Sequence, residues 1–292
     1  MQADLAERFP GVADVYAEAS DVLGYDLWQL VQQGPAEKLG ETVVTQPAML
    51  AAGYAAWQAW QSAGGAAPTH VAGHSLGEYT ALVCAGAVSF RDAMTVVKRR
   101  SELMQSAVPV GVGAMAAILG LDDDSVADVC NAAAQGEVVE AVNFNAPGQV
   151  VIAGHKTAVD RAIELAKASG AKRALPLPVS VPAHSALMRE AGEALRDALA
   201  AAAFSDPTVT VIGASDARPY GDADDIRARL STQVYSPVQW VRTTEAIVAG
   251  GADTVVECGP GKVLAGLVRR IDRDVTVVTI DNVDNLEKAL QG

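Results

Sequence analysis

The sequence predicts an α/β protein with a mostly parallel, helix-covered sheet, interrupted by one small unit of different strand order. Three observations carry this expectation. Short β-branched stretches alternate with Ala- and Leu-rich helical stretches along most of the 292 residues, the pattern of strands joined by crossover helices. A Gly-x-Ser-x-Gly pattern stands at Gly73, Ser75 and Gly77, between a strand end and a helix. Between residues 110 and 183 the order becomes strand-helix-strand-strand-helix-strand.

The elements follow in order. Residues 1–11 are polar and start without a strand; 12–23 reads as a helix. Gln46-Pro47 opens a long helix over 48–62, ended by Gly64-Gly65, with Trp57 and Trp60 on one face as core or interface residues. Residues 69–72 are a strand end and 76–86 a helix. Ser89 caps the next helix, to about residue 108, with Asp92 at its third position. Residues 109–113 are a linker.

Within the insertion, 114–119, 138–144, 149–153 and 172–179 are strands, and 122–135 and 156–169 are helices. Asn145-Ala146-Pro147-Gly148 is a turn between the middle strands. After it come a helix to about residue 203, a strand at 208–212, and a helix at 224–235. A helix ending at 249, a strand at 253–257, a turn-helix from Gly259 and a last strand at 275–280 complete the chain. The division is therefore an α/β-hydrolase-like domain of 1–109 with 184–292, and a ferredoxin-like subdomain of 110–183.

Bulk properties narrow the function. The formal net charge of −13 disfavours nucleic acid, which needs a basic face. No apolar run is long enough to span a bilayer, and no signal peptide is evident, so no membrane partner is expected. Three dispersed cysteines, Cys84, Cys130 and Cys258, fit a reducing cytoplasm, and four histidines lack metal-ligand spacing.

The elbow pattern points to nucleophilic chemistry. A sharp strand-to-helix turn holds Ser75 in strained geometry at a helix N-terminus, where free N–H groups favour developing negative charge. A serine N-cap between turn glycines is the plainer alternative. The hydroxyl needs a base. His74 adjoins the serine, and neighbours at i,i+1 point apart. His70 is on the incoming strand and His155 begins a helix. His184 lies where the chain re-enters the main domain, and is also readable as a helix-cap histidine.

Gly-His-Ser-Leu-Gly-Glu-Tyr at 73–79 resembles the active-site segment of the malonyl-CoA:acyl carrier protein transacylases, and the resemblance extends over the chain. It implies malonyl transfer from malonyl-CoA to the phosphopantetheine thiol of acyl carrier protein, through a malonyl-Ser75 ester. Ser-Val-Pro-Ala-His-Ser-Ala-Leu-Met matches the segment holding the family's catalytic histidine, His184 here. Main-chain carbonyls and a nearby glutamine segment orient that histidine in the family, and Gln239 in Pro-Val-Gln-Trp matches that segment. The substrate-binding arginine corresponds to Arg100, before Ser-Glu-Leu-Met-Gln; its fork suits a malonyl carboxylate. Leu76 corresponds to an oxyanion-hole donor, and Met115, Asn143 and Asn145 resemble pocket-lining residues. The implied chemistry needs no cofactor or metal, and a monomer is expected. Lys262, Arg269 and Arg270 are candidates for a basic patch that meets the acidic carrier, and are equally readable as a solvated helix face.

The family normally opens with a hydrophobic strand and a Gly-Gln-Gly-Ser-Gln turn, and residue 1 falls just after that turn. The turn supplies the second oxyanion donor, whose loss typically costs roughly 10²–10³ in rate. The sequence reading therefore favours an incomplete version of a working enzyme. Two other classes remain open: a serine esterase or thioesterase, and a low-activity carrier-binding variant.

Overall fold

The computed structural model describes residues 1–179 and 181–291. Ser180, which opens the Ser-Val-Pro-Ala-His segment, and Gly292 lie outside the described residues. The α/β expectation holds: eight strands are interleaved with helices, in parallel and antiparallel sheets, among the described residues.

The parallel part is less continuous than expected. Strand β1 (His70–Ala72) pairs in parallel with β6 (Thr210–Ile212), and β7 (Thr254–Glu257) pairs in parallel with β8 (Thr276–Thr279). These are two separate ladders of three and four residues, not one sheet, because no described strand hydrogen-bonds to both pairs. The active strand-to-helix turn projects from the C-terminal end of β1.

The inserted unit forms one antiparallel sheet. It contains β2 (Gly113–Leu119), β3 (Val139–Ala146), β4 (Gln149–His155) and β5 (Arg173–Pro176), in the order β3-β4-β2-β5. The helices Asp123–Ala134 and Lys156–Ala168 bury Val126, Val129, Val159 and Ile163 against one face, in a core of their own. On the sheet, Met115, Val142, Val151 and Ala153 form a separate apolar cluster with Leu177 and Ala183, next to His184.

The asparagines sit differently from the sequence reading. Asn145 was expected in a turn over 145–148, but β3 continues to Ala146 and leaves Pro147-Gly148 as the connection. Register shifts fall between Ala141 and Asn143 and between Phe144 and Ala146. Phe144 N–H donates to Val238 O at 2.9 Å and Val238 N–H to Val142 O at 2.8 Å. That extra pairing to the 236–240 segment holds the end of β3 extended where a free hairpin would turn.

Outside the insertion, one large apolar cluster joins the helices Gly11–Leu23, Thr42–Ser62, Gly77–Cys84, Phe90–Ser106 and Arg189–Ala201. The helix expected to begin after Gln46-Pro47 in fact starts at Thr42. Pro47 lacks only the N–H that would reach back one turn, so the preceding turn survives; Thr45 Oγ1 bonds Glu41 O at 3.0 Å within it. Gln46 thereby lies inside a helix, buried and facing Arg100. Trp57 and Trp60 are core residues. Helices at Ala3–Arg8, Leu27–Gln33, Ala36–Leu39 and Val283–Gln291 have no counterpart in the sequence reading.

Ser89 Oγ accepts from Asp92 N–H at 3.0 Å, capping the helix that carries Arg100. Ser89→Ala should lower unfolding free energy by about 1 kcal/mol in a urea titration, with acyl transfer retained because the cap lies at the far end from Arg100.

Candidate active site

Ser75 has a left-handed backbone, φ 51°, at the turn between β1 and the helix Gly77–Cys84. A non-glycine residue held there is strained, and the strain lifts its hydroxyl out of the turn. The elbow closes tightly because residue 73 has no side chain. A Cβ on Gly73 would lie 1.9 Å from the Gly77 carbonyl carbon. The Leu76 N–H has no acceptor among the described residues and stands at the helix N-terminus.

His184 arrives from a distant part of the chain with φ 67°. Its main-chain N–H donates to Val234 O at 2.9 Å. Nδ1 faces two carbonyl oxygens, Gln233 O at 2.9 Å and Ser236 O at 3.1 Å. Carbonyls only accept, so Nδ1 carries the proton and Nε2 is left as an acceptor. Ser75 Oγ–H donates to that Nε2 across 2.7 Å. Ser75 and His184 are thus in direct contact, and no carboxylate among the described residues bonds the histidine.

Burial, then the nearby Arg100 charge, pushes His184 down to about 3. The ring is therefore neutral at pH 7, with Nε2 open to accept a proton.

Arg100 is 1 % exposed and forms no ion pair among the described residues. Its Nη1 donates to Gln46 Oε1 at 2.5 Å, and Nη2 donates to Gln233 Oε1 at 2.9 Å and Ser75 Oγ at 3.3 Å. The Tyr79 ring lies 5.6 Å from the guanidinium carbon, and Nε has no partner. A guanidinium resists deprotonation even where burial pushes it down, so the site holds a positive charge whose bonded partners are all neutral, with the Glu78 carboxyl nearby but not bonded to it.

The remaining expected residues divide. Asn145 Oδ1 is 2.8 Å from His74 Nε2, and the His74 ring lies 5.7 Å from that of Trp240. Asn143 Oδ1 is buried and unpaired. Met115 is in the apolar cluster beside Ala183.

Gln239 is a correction. The glutamine at His184 is Gln233, whose carbonyl lies at the end of the helix Ala223–Gln233, where intrahelical partners run out. Gln239 instead precedes the helix Trp240–Ala249; its N–H donates to Ala214 O and its carbonyl accepts from Thr243 N–H. Gln46, Gln233 and Glu78 are site neighbours that motif reading passed over. An acid in the otherwise apolar Gly77–Cys84 helix was the available signal for Glu78.

Of the basic residues considered for docking, Arg269 is tied to Val277 O at 2.7 Å. Arg270 reaches Pro147 O at 3.0 Å and the Gln149 side chain. No group of three or more His, Cys, Asp or Glu side chains is placed to hold a metal among the described residues. No helix among them is long and apolar enough to cross a membrane.

Comparison with known proteins gives consistent matches. A family model described as an acyl transferase domain matches residues 3–286. The malonyl CoA-acyl carrier protein transacylase of Escherichia coli K12 is 53% identical over 291 residues, covering 100% of this chain and 94% of that protein. An acyl carrier protein S-malonyltransferase structure from Vibrio cholerae O1 superposes with TM-score 0.95 at 53% identity, over 98% of this chain and 94% of the other. A type II PKS acyl-carrier protein in complex with its malonyl-transacylase matches with TM-score 0.97 at 52% identity, over 99% and 94%.

The depressed His184 value has a sign that stability measurements read. Between about pH 6.5 and 3 the unfolded chain binds a proton at this residue that the folded chain does not. Its contribution is therefore complete above pH 6.5 and is lost as pH falls. Wild type should lose up to about 1.4 kcal/mol per pH unit more than His184→Gln between pH 6.5 and 5 in urea titrations. Parallel curves would place the proton elsewhere.

Proposed function

The chain belongs to the acyl transferase domain family, and from that footing we propose that it moves a malonyl group from malonyl-CoA to the phosphopantetheine thiol of acyl carrier protein, supplying fatty-acid synthesis. The observation that carries this reading is Arg100, buried against the Ser75 hydroxyl with neutral partners only. A dry, unneutralised guanidinium beside a nucleophile suits an acyl group that ends in a carboxylate.

The steps follow from the atoms. Ser75 Oγ attacks the thioester carbonyl and its proton passes to His184 Nε2. Negative charge on the former carbonyl oxygen is met by the Leu76 N–H at the helix N-terminus. The intermediate collapses, the carbon–sulfur bond breaks, and the coenzyme A sulfur takes the proton from His184. The malonyl group is now an ester on Ser75. The carrier's pantetheine thiol attacks it, again giving its proton to His184, and Ser75 recovers that proton as it leaves.

Arg100 also tunes the base. Its charge is the second cause, after burial, of the low His184 value. A malonyl carboxylate on Arg100 offsets that charge and returns His184 toward its ordinary range, so an acidic acyl group makes the base stronger as it binds. Asn143, Asn145 and Met115 line the same pocket in this reading, and the free Asn143 Oδ1 suits a pantetheine amide N–H. Nucleophile, base and clamp are side chains of one chain, so the scheme uses no metal or organic cofactor and a monomer suffices. Three unpaired cysteines are in keeping with a cytoplasmic setting.

The same reading covers the architecture. Residues 110–183 are a ferredoxin-like subdomain set into an α/β-hydrolase-like domain of 1–109 and 184–292. The order β3-β4-β2-β5 and a separate apolar core support that division. An esterase reading is less well supported, since an esterase has no use for Arg100, and His184 meets carbonyls where such enzymes place an acid.

Arg100→Ala should lower malonyl relative to acetyl transfer by about 30-fold or more, measured as the ratio of kcat/KM values for the two coenzyme A thioesters. An unchanged ratio would remove the clamp.

A further inference from the structure

One buried acid has no part in the scheme above. Glu78 lies three residues beyond Ser75 and is 1 % exposed. Its Oε1 accepts from Ala214 N–H at 2.9 Å and from Tyr220 OH at 2.6 Å. Its Oε2 accepts from Gln233 Nε2 at 2.7 Å. Burial raises its pKa, while those three donors favour the ionised form.

Gln233 links this acid to Arg100. Its Nε2 donates to Glu78 Oε2 and also to Ser75 O at 2.8 Å. With both amide protons committed on that side, Oε1 turns the other way and accepts from Arg100 Nη2 at 2.9 Å. A primary amide can flip end for end at small steric cost; two acceptors on one side and a cation on the other decide which end points where.

We propose that Glu78 is a positioning residue for acyl-group selection: by accepting from Gln233 Nε2 it fixes the amide that turns a neutral oxygen to Arg100 and keeps that guanidinium aimed into the site with its charge free. The interposed amide matters. A carboxylate bonded directly to Arg100 would hold it equally well but would cancel the charge that a malonyl carboxylate needs. Without an acceptor at Glu78, Ser75 O alone holds the amide in that sense, and the NH₂ group turns more readily toward Arg100, donor against donor. The proposal rests on the reading of Arg100 as the carboxylate clamp.

Glu78→Gln alters one atom of the network. Ala214 N–H and Tyr220 OH both hold the Oε1 side, so the glutamine presents NH₂ where Oε2 now faces Gln233. The amide at 233 then keeps only Ser75 O as an acceptor on that side and meets a donor where Oε2 stood. A purely electrostatic role predicts the opposite sign, since removing a negative charge would strengthen preference for an acidic acyl group.

The test is a double-mutant cycle read as the ratio of Ser75 acylation by malonyl-CoA to that by acetyl-CoA, using intact mass over short mixing times. Glu78→Gln should lower the ratio by about tenfold, and adding it to Arg100→Ala should leave that variant's ratio unchanged. A ratio that is unchanged or raised in Glu78→Gln, while Arg100→Ala lowers it, overturns the role of Glu78 and leaves the clamp standing. So does a further drop in the double variant. A ratio unchanged in Arg100→Ala overturns both. Should Glu78→Gln fail to fold by circular dichroism, Gln233→Met replaces it. That change removes the amide and leaves the Gln233 carbonyl on His184. The same fall in ratio supports the proposal and an unchanged ratio overturns it.

Discussion

Burying a guanidinium with no carboxylate bonded to it is the constraint on which the rest of the site depends. Taking such a charge out of water costs on the order of several kcal/mol, and neutral hydrogen bonds repay only part of it. Arg100 meets this with oxygens from three separate elements: Gln46 on the helix Thr42–Ser62, Gln233 at the end of Ala223–Gln233, and Ser75 at the elbow. The three lie far apart in the chain, so the site exists only once the large core has formed around them. No anion bonds the guanidinium directly, so it keeps an attraction for one beside Ser75.

Ser75 and His184 are held by backbone more than by side chains. Ser75 and His184 both occupy left-handed conformations, and each is fixed by the elements on either side of it. The His184 tautomer is set by two main-chain carbonyls, which cannot be protonated at any working pH. A carboxylate in their place would stabilise the imidazolium more strongly, and would also sit near Arg100 and compete for it. Orienting His184 by carbonyls is therefore compatible with the proposed role of Arg100 as a carboxylate clamp.

How much of this was legible in the sequence follows from the range of each interaction. The elbow is local, so Gly73, Ser75 and Gly77 declare it by spacing alone. His184 and Arg100 came from the resemblance, because their contacts with Ser75 span 109 and 25 residues and leave no periodic trace. Gln233 was missed in favour of Gln239 because both stand near Tyr235-Ser236-Pro237. Only the helix end at Gln233 decides which carbonyl turns toward His184. Glu78 was in view within the motif, but its partners at 214, 220 and 233 are known only after folding. The alternation of strands and helices was read correctly in kind. The pairing of those strands into two short parallel ladders was not, since strand order is set by tertiary contacts that local pattern does not carry.

The central claim is that Ser75, activated by His184 and faced by Arg100, takes up an acidic acyl group. Brief mixing of this chain and of its Ser75→Ala form with malonyl-CoA, followed by intact-protein mass spectrometry, tests it most directly. The account predicts one malonyl mass increment on the first and none on the second. A folded wild-type chain that stays unmodified, or an increment that persists in Ser75→Ala, would contradict it.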